Sequence, residues 1–281
     1  MFEIVKKQLL AKDIYLMDVA APRVAKSAQP GQFVIVRVGE KGERIPLTIC
    51  DYSAGRGTVT IVTQVVGASS RKICALSEGN SFTDFVGPLG RPSELALLAG
   101  EELRQKRVLF IAGGLGAAPV YPQLKWLSEQ GAKADIIAGA KSKDLLILQA
   151  EIAAAAQNLY VATDDGSAGF KGLVTELFKQ LVDAQGKKYD LVVAIGPMVM
   201  MKFVALATKA CGIATIVSLN TLMVDGTGMC GACRVSVGGK IRFTCVDGPE
   251  FDGHLVDFDE ALRRQGMYRA MEKEAECRCL P

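Results

Sequence analysis

Between about residue 98 and residue 220 the chain repeats one pattern four times, a run rich in apolar residues, then a turn, then a stretch long enough for a helix, and closes on a fifth apolar run. The runs are VLFIAGG, ADIIAGA, NLYVATDD, DLVVAIGP and ATIVSLN. Strands apolar on both faces must be covered on both faces, and parallel neighbours need a crossover helix between them. The pattern therefore predicts a doubly wound parallel sheet, whose ligands bind at the carboxyl ends of the strands. Three such ends carry small residues: Gly113-Gly114-Leu115-Gly116-Ala117-Ala118-Pro119, Thr163-Asp164-Asp165-Gly166 and Gly196-Pro197-Met198. The first is not the G-x-G-x-x-G fingerprint, but small residues there let a pyrophosphate approach a helix N-terminus. One glycine turn alone would more often mean packing; three at successive strand ends point to a nicotinamide dinucleotide.

The preceding residues, 1–97, read differently. FEIVKKQLL, IYLMDVAAP, FVIVRVG, RIPLTIC, TVTIVTQVVG and SFTDFVGP are β-rich runs at close spacing, which predicts an antiparallel barrel. One short helix interrupts them, at 69–76 after Gly67, and its open amides suit an anion. Arg44 and Thr48 lie on the alternating strand RIPLTI, where a planar cation and a hydroxyl suit a diphosphate-bearing cofactor. A lone strand arginine is usually just solvated. Upstream of a nucleotide-type sheet, Arg44 and the Gly67-Ser69-Ser70 turn together point to a flavin pocket.

Beyond residue 220 stands a row of potential ligands: Asp225, Cys230, Cys233 and Cys245, spaced D-x4-C-x2-C-x11-C. A plant-type [2Fe-2S] cluster uses C-x4-C-x2-C and a distant fourth cysteine. Here aspartate holds the first place. Gly226, Gly228 and Gly231 let the loop turn its N–H groups inward without a Cβ clash, and RVSVGGKIRFTC reads as a hairpin returning Cys245 to the loop. Zinc remains an alternative for the C-x2-C pair, although no second pair stands at zinc-finger spacing and His254 is the only histidine. Asp225 is either an iron ligand or a loop carboxylate that accepts backbone hydrogen bonds. His254 reads as structural. Cys50, Cys74 and Cys211 read as small buried hydrophobes, and Cys277 and Cys279 as thiols of a terminal tail.

At 281 residues the chain has length for about two cores. Its net charge of +3 comes from interspersed signs, with no basic block for nucleic acid. No run is long and apolar enough for a membrane span or a signal peptide. Cysteines read as ligands imply a reducing compartment, so the expectation is a cytoplasmic protein. The expected division is a flavin barrel at 1–97, an α/β nucleotide domain at 98–220, a cluster module at 221–249 and a helical tail at 250–281.

Flavin strand, anion-binding helix, GGxGxAP turn and cluster loop, in this order, resemble the ferredoxin–NADP+ reductase superfamily over essentially the whole chain. The resemblance is strongest to its branch of heteromeric electron-transfer subunits, which includes those of dihydroorotate dehydrogenase, sulfide dehydrogenase and NADH-dependent reduced ferredoxin:NADP+ oxidoreductase. It implies FAD, NAD(H) and a [2Fe-2S] cluster as cofactors. It also implies a larger flavin and iron–sulfur partner subunit, with ferredoxin and NADP+ reacting on that partner. By the same resemblance Arg44, Pro46, Leu47 and Thr48 contact the flavin, and Gly67, Ser69 and Ser70 hold its pyrophosphate. Gly113, Gly114, Gly116, Ala118 and Pro119 hold the nicotinamide nucleotide, with Asp164, Gly196 and Pro197 at the neighbouring strand ends. The dihydroorotate-linked subunits carry four cluster cysteines, whereas aspartate at position 225 is the pattern of the ferredoxin:NADP+ oxidoreductase small subunit. The implied activity is hydride exchange with NAD(H) followed by single-electron transfer. A non-catalytic redox-sensing or scaffold role is the competing expectation.

Overall fold

The computed structural model describes residues 2–98, 100–272 and 274. The first sheet contains β1 (Phe2–Ala11), β2 (Ile14–Ala20), β3 (Phe33–Arg37), β4 (Ile45–Ser53), β5 (Thr58–Gln64), β6 (Ser81–Phe82) and β7 (Asp84–Leu89). Its order is β6-β1-β2-β5-β4-β3-β7, with every pair antiparallel. β6 and β7 stand at opposite ends of that order, yet only Thr83 separates them in the chain. The sheet must therefore curl into a nearly closed barrel, filled by inward-facing side chains such as Met17, Val34, Val36, Ile61 and Phe82. α2 (Ala68–Ala75) is the helix expected after Gly67. A further helix, α1 (Pro22–Ser27), interrupts the barrel where the sequence suggested only one; it starts on a proline, whose missing N–H is not needed in a first turn.

After α3 (Gly100–Gln105) the chain alternates as β8 (Val108–Gly113), α4 (Ala117–Glu129), β9 (Asp135–Ala140), α5 (Gln149–Ala155), β10 (Asn158–Thr163), β11 (Phe170–Lys171), α6 (Val174–Lys179), β12 (Leu191–Ile195), α7 (Met198–Ala210) and β13 (Ala214–Ser218). Every residue of β8 is buried. Val108, Phe110 and Ala112 join a core with Val120, Leu124 and Ile152 of α4 and α5. Leu109 and Ile111 join the opposite core with Phe178, Met201 and Val204, against α6 and α7. That two-sided burial is what made the run apolar throughout. DLLILQAEIAAAAQ is helical only in its second half, because Ile147 and Leu148 turn into the core and Leu148 takes a left-handed φ of 54° just before α5.

The remaining described elements are β14 (Arg234–Val237), β15 (Lys240–Phe243), α8 (Thr244–Asp247), β16 (Glu250–Asp252) and α9 (Phe258–Gln265). β14 and β15 form the expected hairpin, with Gly238 and Gly239 both at positive φ in its turn. The sequence assigned residues from 250 onward to a helical tail; instead β16 pairs antiparallel with β13 and completes the parallel sheet, in the order β11-β10-β9-β8-β12-β13-β16. A three-residue strand leaves too little alternation to read.

β16 also ties the modules together. Ser93 Oγ, in the segment leaving the barrel, donates to Glu250 Oε2 at 2.8 Å, and Gln123 Nε2 of α4 donates to Oε1 at 2.7 Å. Enclosure of this carboxylate pushes it from 4.5 up to about 7, against these two bonds and a Glu94 N–H, with the Glu94 charge adding to the rise. Between about pH 4.5 and about pH 7 the folded chain thus holds a proton that the unfolded chain has lost, so stability falls as pH rises through that window. Glu250→Gln should remove this slope. Its stability advantage over the native chain, read from thermal melts, should be near zero at about pH 4 and grow toward about pH 8, to the order of 1–3 kcal/mol. A difference independent of pH would show that the carboxylate does not titrate there.

Candidate functional site

A cavity of about 1300 Å3 opens where the barrel faces the carboxyl ends of the parallel strands. β4 contributes Pro46, Leu47 and Thr48 to its wall, and the turn between β8 and α4 contributes Gly113, Gly114, Gly116, Ala118 and Pro119. Asp164 enters from the end of β10, and Gly196 and Pro197 from the end of β12. β8 and β12 are neighbours, yet the chain leaves β8 in one direction and returns to β12 from the other, so the cavity lies at the topological switch point.

The glycine turn meets two separate needs. A Cβ on Gly116 would lie 2.1 Å from the Ile195 carbonyl oxygen, and one on Gly113 would lie 2.4 Å from Met200 Sδ. Gly116 thus lets the turn pack on the end of β12, and Gly113 lets the end of β8 pack under the first turn of α7. Gly114 differs: its φ is 54° and nothing lies within 4 Å of its Cβ position, which leaves its backbone open beside the cavity.

Four proposed cofactor contacts lie outside the cavity wall. Ser70 Oγ accepts from the N–H groups of Val66 and Gly67, both at 2.9 Å, and so closes the start of α2 on itself. Ser69 hydrogen-bonds Glu43. Gly67 precedes both as the helix N-cap. Arg44 Nη2 donates to the Asp225 carbonyl at 3.3 Å, and Nη1 lies 3.6 Å from Asp84 Oδ2.

The wall also holds residues that the sequence did not single out. Lys141 sits just past β9, where the strand-end rule applied to Gly139-Ala140 would have found it. Thr221 Oγ1 is buried with no hydrogen-bond partner among the described residues, an orphan polar atom of the kind a bound ligand satisfies. Phe33 reaches the wall from β3, and Gln265 and Arg269 reach it from the carboxyl-terminal end. No local pattern marked these three.

The row of potential ligands lies beside the barrel. Cys233 and Cys245 are buried with their sulfurs 3.3 Å apart, in one apolar cluster with Phe33 and Ile35 of β3. Burial, then the Cys233 side chain, pushes the Cys245 thiol up. Cys230 is exposed, and the N–H groups of Ala232, Asp225 and Val224 hold its thiol below the ordinary range. Gly228 supplies a similar backbone bond to Cys245. Gly226, Gly228 and Gly231 all have positive φ, and a Cβ on Gly226 would meet Ile35 at 2.8 Å. The Asp225 carboxylate accepts from the N–H of Thr227 at 2.9 Å and from its hydroxyl, and these bonds hold it below the usual range. Among the described residues the four side chains do not close around one point as they stand. Three thiols and inward N–H groups are nonetheless donors of the kind an iron–sulfur loop uses, with a carboxylate standing in place of a fourth cysteine.

His254 packs structurally: its Nε2 lies 3.1 Å from Thr208 Oγ1 and its N–H donates to Asp252. Cys50 and Cys74 are buried as expected, and burial raises both thiols. Cys211 is exposed instead, because it follows the last turn of α7 and faces away from the core. Cys277 and Cys279 lie outside the described residues.

Residues 220–257 match the model of the iron–sulfur cluster binding domain of dihydroorotate dehydrogenase B, and residues 110–206 match the oxidoreductase NAD-binding domain. The dihydroorotate dehydrogenase B electron transfer subunit homolog of Thermotoga maritima is 46% identical over 96% of this chain and 93% of its own length. The chain belongs to this family of electron-transfer subunits. An electron transfer subunit of dihydroorotate dehydrogenase B from Fusobacterium nucleatum is 33% identical over 89% of the chain and 95% of its own. A chain of the solved NADH-dependent reduced ferredoxin-NADP oxidoreductase, described for flavin-based electron bifurcation, is 44% identical, with a TM-score of 0.92 over 100% of this chain and 98% of that one. Phthalate dioxygenase reductase, at 16% identity and a TM-score of 0.59 over 84% of this chain and 85% of its own, shares the fold. The chain is thus an oxidoreductase subunit of the flavin and iron–sulfur type within the ferredoxin–NADP+ reductase superfamily. The cofactor set expected from the sequence, FAD, a [2Fe-2S] cluster and NAD(H), is that of this family. Among the described residues no helix is long and apolar enough to cross a membrane.

Within this family frame the two kinds of glycine should behave differently. Gly116→Ala has backbone in its way and should lose about 1–3 kcal/mol of stability. Gly114→Ala meets no atom and should lose only the left-handed strain, about 1–2 kcal/mol, while weakening nucleotide binding. Thermal melts with and without NADH check both; equal melts and equal NADH affinities for the two variants would overturn the distinction.

Proposed function

We propose that this chain is the NADH-oxidising electron-transfer subunit of a heteromeric complex of the electron-bifurcating NADH-dependent reduced ferredoxin:NADP+ oxidoreductase type. The observation that carries the reading is a shared side chain. Phe33 lines the cavity and also packs with Cys233 and Cys245, so its ring lies between the proposed nucleotide site and two proposed cluster ligands.

Pro46, Leu47 and Thr48 would form the flavin wall; Gly67, Ser69 and Ser70, outside that wall with both hydroxyls engaged, would meet its phosphates through backbone amides at the start of α2. Gly113, Gly114, Gly116, Ala118 and Pro119 would seat the NADH pyrophosphate, and Gly196 and Pro197 would support the nicotinamide against the flavin wall. Asp164 would accept from the ribose hydroxyls and repel a 2′-phosphate, which favours NAD over NADP. Asp225, Cys230, Cys233 and Cys245 would hold the cluster. Bound FAD supplies the exchange between a two-electron hydride donor and a one-electron acceptor, a chemistry no side chain offers. The chain's own part is to fix distances, exclude water and set charge around each group.

The loop's outer side supports a partner. Around the exposed Cys230 stand Val224, 56% exposed, and Met229, 88% exposed, with Val246 also exposed. An apolar rim at the exit suits the larger flavin and iron–sulfur subunit, where ferredoxin and NADP+ would react; the complex would work in the cytoplasm, where thiols stay reduced. A dihydroorotate-linked role is the second reading, favoured by relatives at 31–33% identity that bear that name. The partner's mass on copurification separates the two.

Anaerobic NADH titration of the purified chain tests the core of the proposal. Flavin bleaching should be followed by reduction of a [2Fe-2S] signal; bleaching alone rejects the electron route. Asp225→Cys should retain a cluster with a changed spectrum and potential, since an oxygen ligand is exchanged for a thiolate. Identical signals would remove Asp225 from the ligand set.

A further inference from the structure

Arg44 precedes the strand that walls the cavity, but its guanidinium turns away from it toward the cluster loop. Asp84 opens β7 and lies opposite Arg37 of β3, whose Nε is 2.7 Å from the Asp84 carboxylate. Arg44 Nη1 approaches the same carboxylate at 3.6 Å, so the fork of Arg44 is anchored on the barrel. Its Nη2 then reaches across 181 residues of sequence to the backbone carbonyl of Asp225 at 3.3 Å. Nε of Arg44 is buried and makes no hydrogen bond among the described residues. The side chain thus spans two modules, with a barrel carboxylate at one end and the first residue of the ligand row at the other.

From this geometry we infer that Arg44 is a positioning residue for the cluster: it pins the Asp225 end of the loop to the barrel and sets a fixed positive charge beside the iron–sulfur site. This deepens the function proposed above and rests on a cluster being held there. Two consequences follow from elementary electrostatics. The reduced cluster carries one more negative charge than the oxidised one, so a nearby cation favours reduction and raises the potential. The planar fork also holds two acceptors at once in a fixed relation, which the point charge of a lysine does not. A side chain in this place couples the flavin strand to the cluster without touching substrate.

The test uses the full chain with cofactors loaded anaerobically, and reads FAD content, iron content, the electron paramagnetic resonance spectrum of the reduced cluster and its midpoint potential. Arg44→Gln should keep FAD and move the cluster midpoint to lower potential. Arg44→Lys should retain most of the native potential but change the spectrum, because the charge stays and the two-point hold is lost. Asp84→Asn leaves the cation less neutralised and should move the midpoint the opposite way; it is also the second route if Arg44→Gln fails to fold. Loss of FAD in Arg44→Gln with an unchanged cluster spectrum and potential would make Arg44 a flavin ligand and overturn the inference. So would equal shifts of the same sign in all three variants, as expected of a merely structural contact. A native chain with no iron–sulfur signal at all would instead sink the proposed function itself.

Discussion

Strand β3 is buried from Phe33 through Val36, and its two faces belong to different cores. Val34 and Val36 point into the barrel with Met17 and Ile61. Phe33 and Ile35 point outward against Cys233 and Cys245. A barrel strand normally alternates core with solvent; here the solvent side is covered by the cluster module. Ile35 and the glycine loop are matched to each other, because a side chain at Gly226 would collide with Ile35. The position of the cluster residues relative to the barrel is therefore fixed by close packing, which changes only at a cost of kilocalories for a single methyl group.

The parallel sheet is attached to the barrel by the same means. Ile14, Cys50 and Val62 of the barrel share a core with Phe110, Val120 and Leu124. Around this contact the cavity is left open at the switch point, bounded on one side by β4 and on the other by the ends of β8 and β12. The glycines there are conditions for the sheet as much as for a ligand, since neighbouring strand ends cannot approach so closely over a Cβ.

Most of this architecture was legible in the sequence because it follows from periodicity. Fully apolar runs such as VLFIAG reported a sheet covered on both faces, and the GG turn of VGGK reported a hairpin. The cavity contacts on β4 and at the strand ends were legible for a related reason, since strand ends are where such a sheet leaves room. What escaped notice depends on distant partners. β16 is three residues long and is a strand only because β13 is there to pair with it. Arg44 read as a phosphate ligand from its neighbours in sequence, whereas Asp84 and Asp225 decide where its guanidinium lies. Cys211 read as buried from the apolar run around it, yet it faces out because α7 has just ended.

The polar contacts at the module boundaries extend the apolar packing into a directional frame. Arg91 N–H and Nε donate to the carbonyls of Gly248 and Val246, at 2.7 and 3.2 Å, and tie the barrel exit to the segment just after Cys245. Glu250 continues that segment and takes Ser93 and Gln123. The distal side of the loop is held by Arg44 on the Asp225 carbonyl. Apolar contact alone would permit sliding along β3, because dispersion and burial are non-directional. Hydrogen bonds with defined angles at both ends of the loop remove that freedom. Groups that exchange electrons through fixed distances need such a frame, and here it uses carbonyls and charges from three parts of the chain.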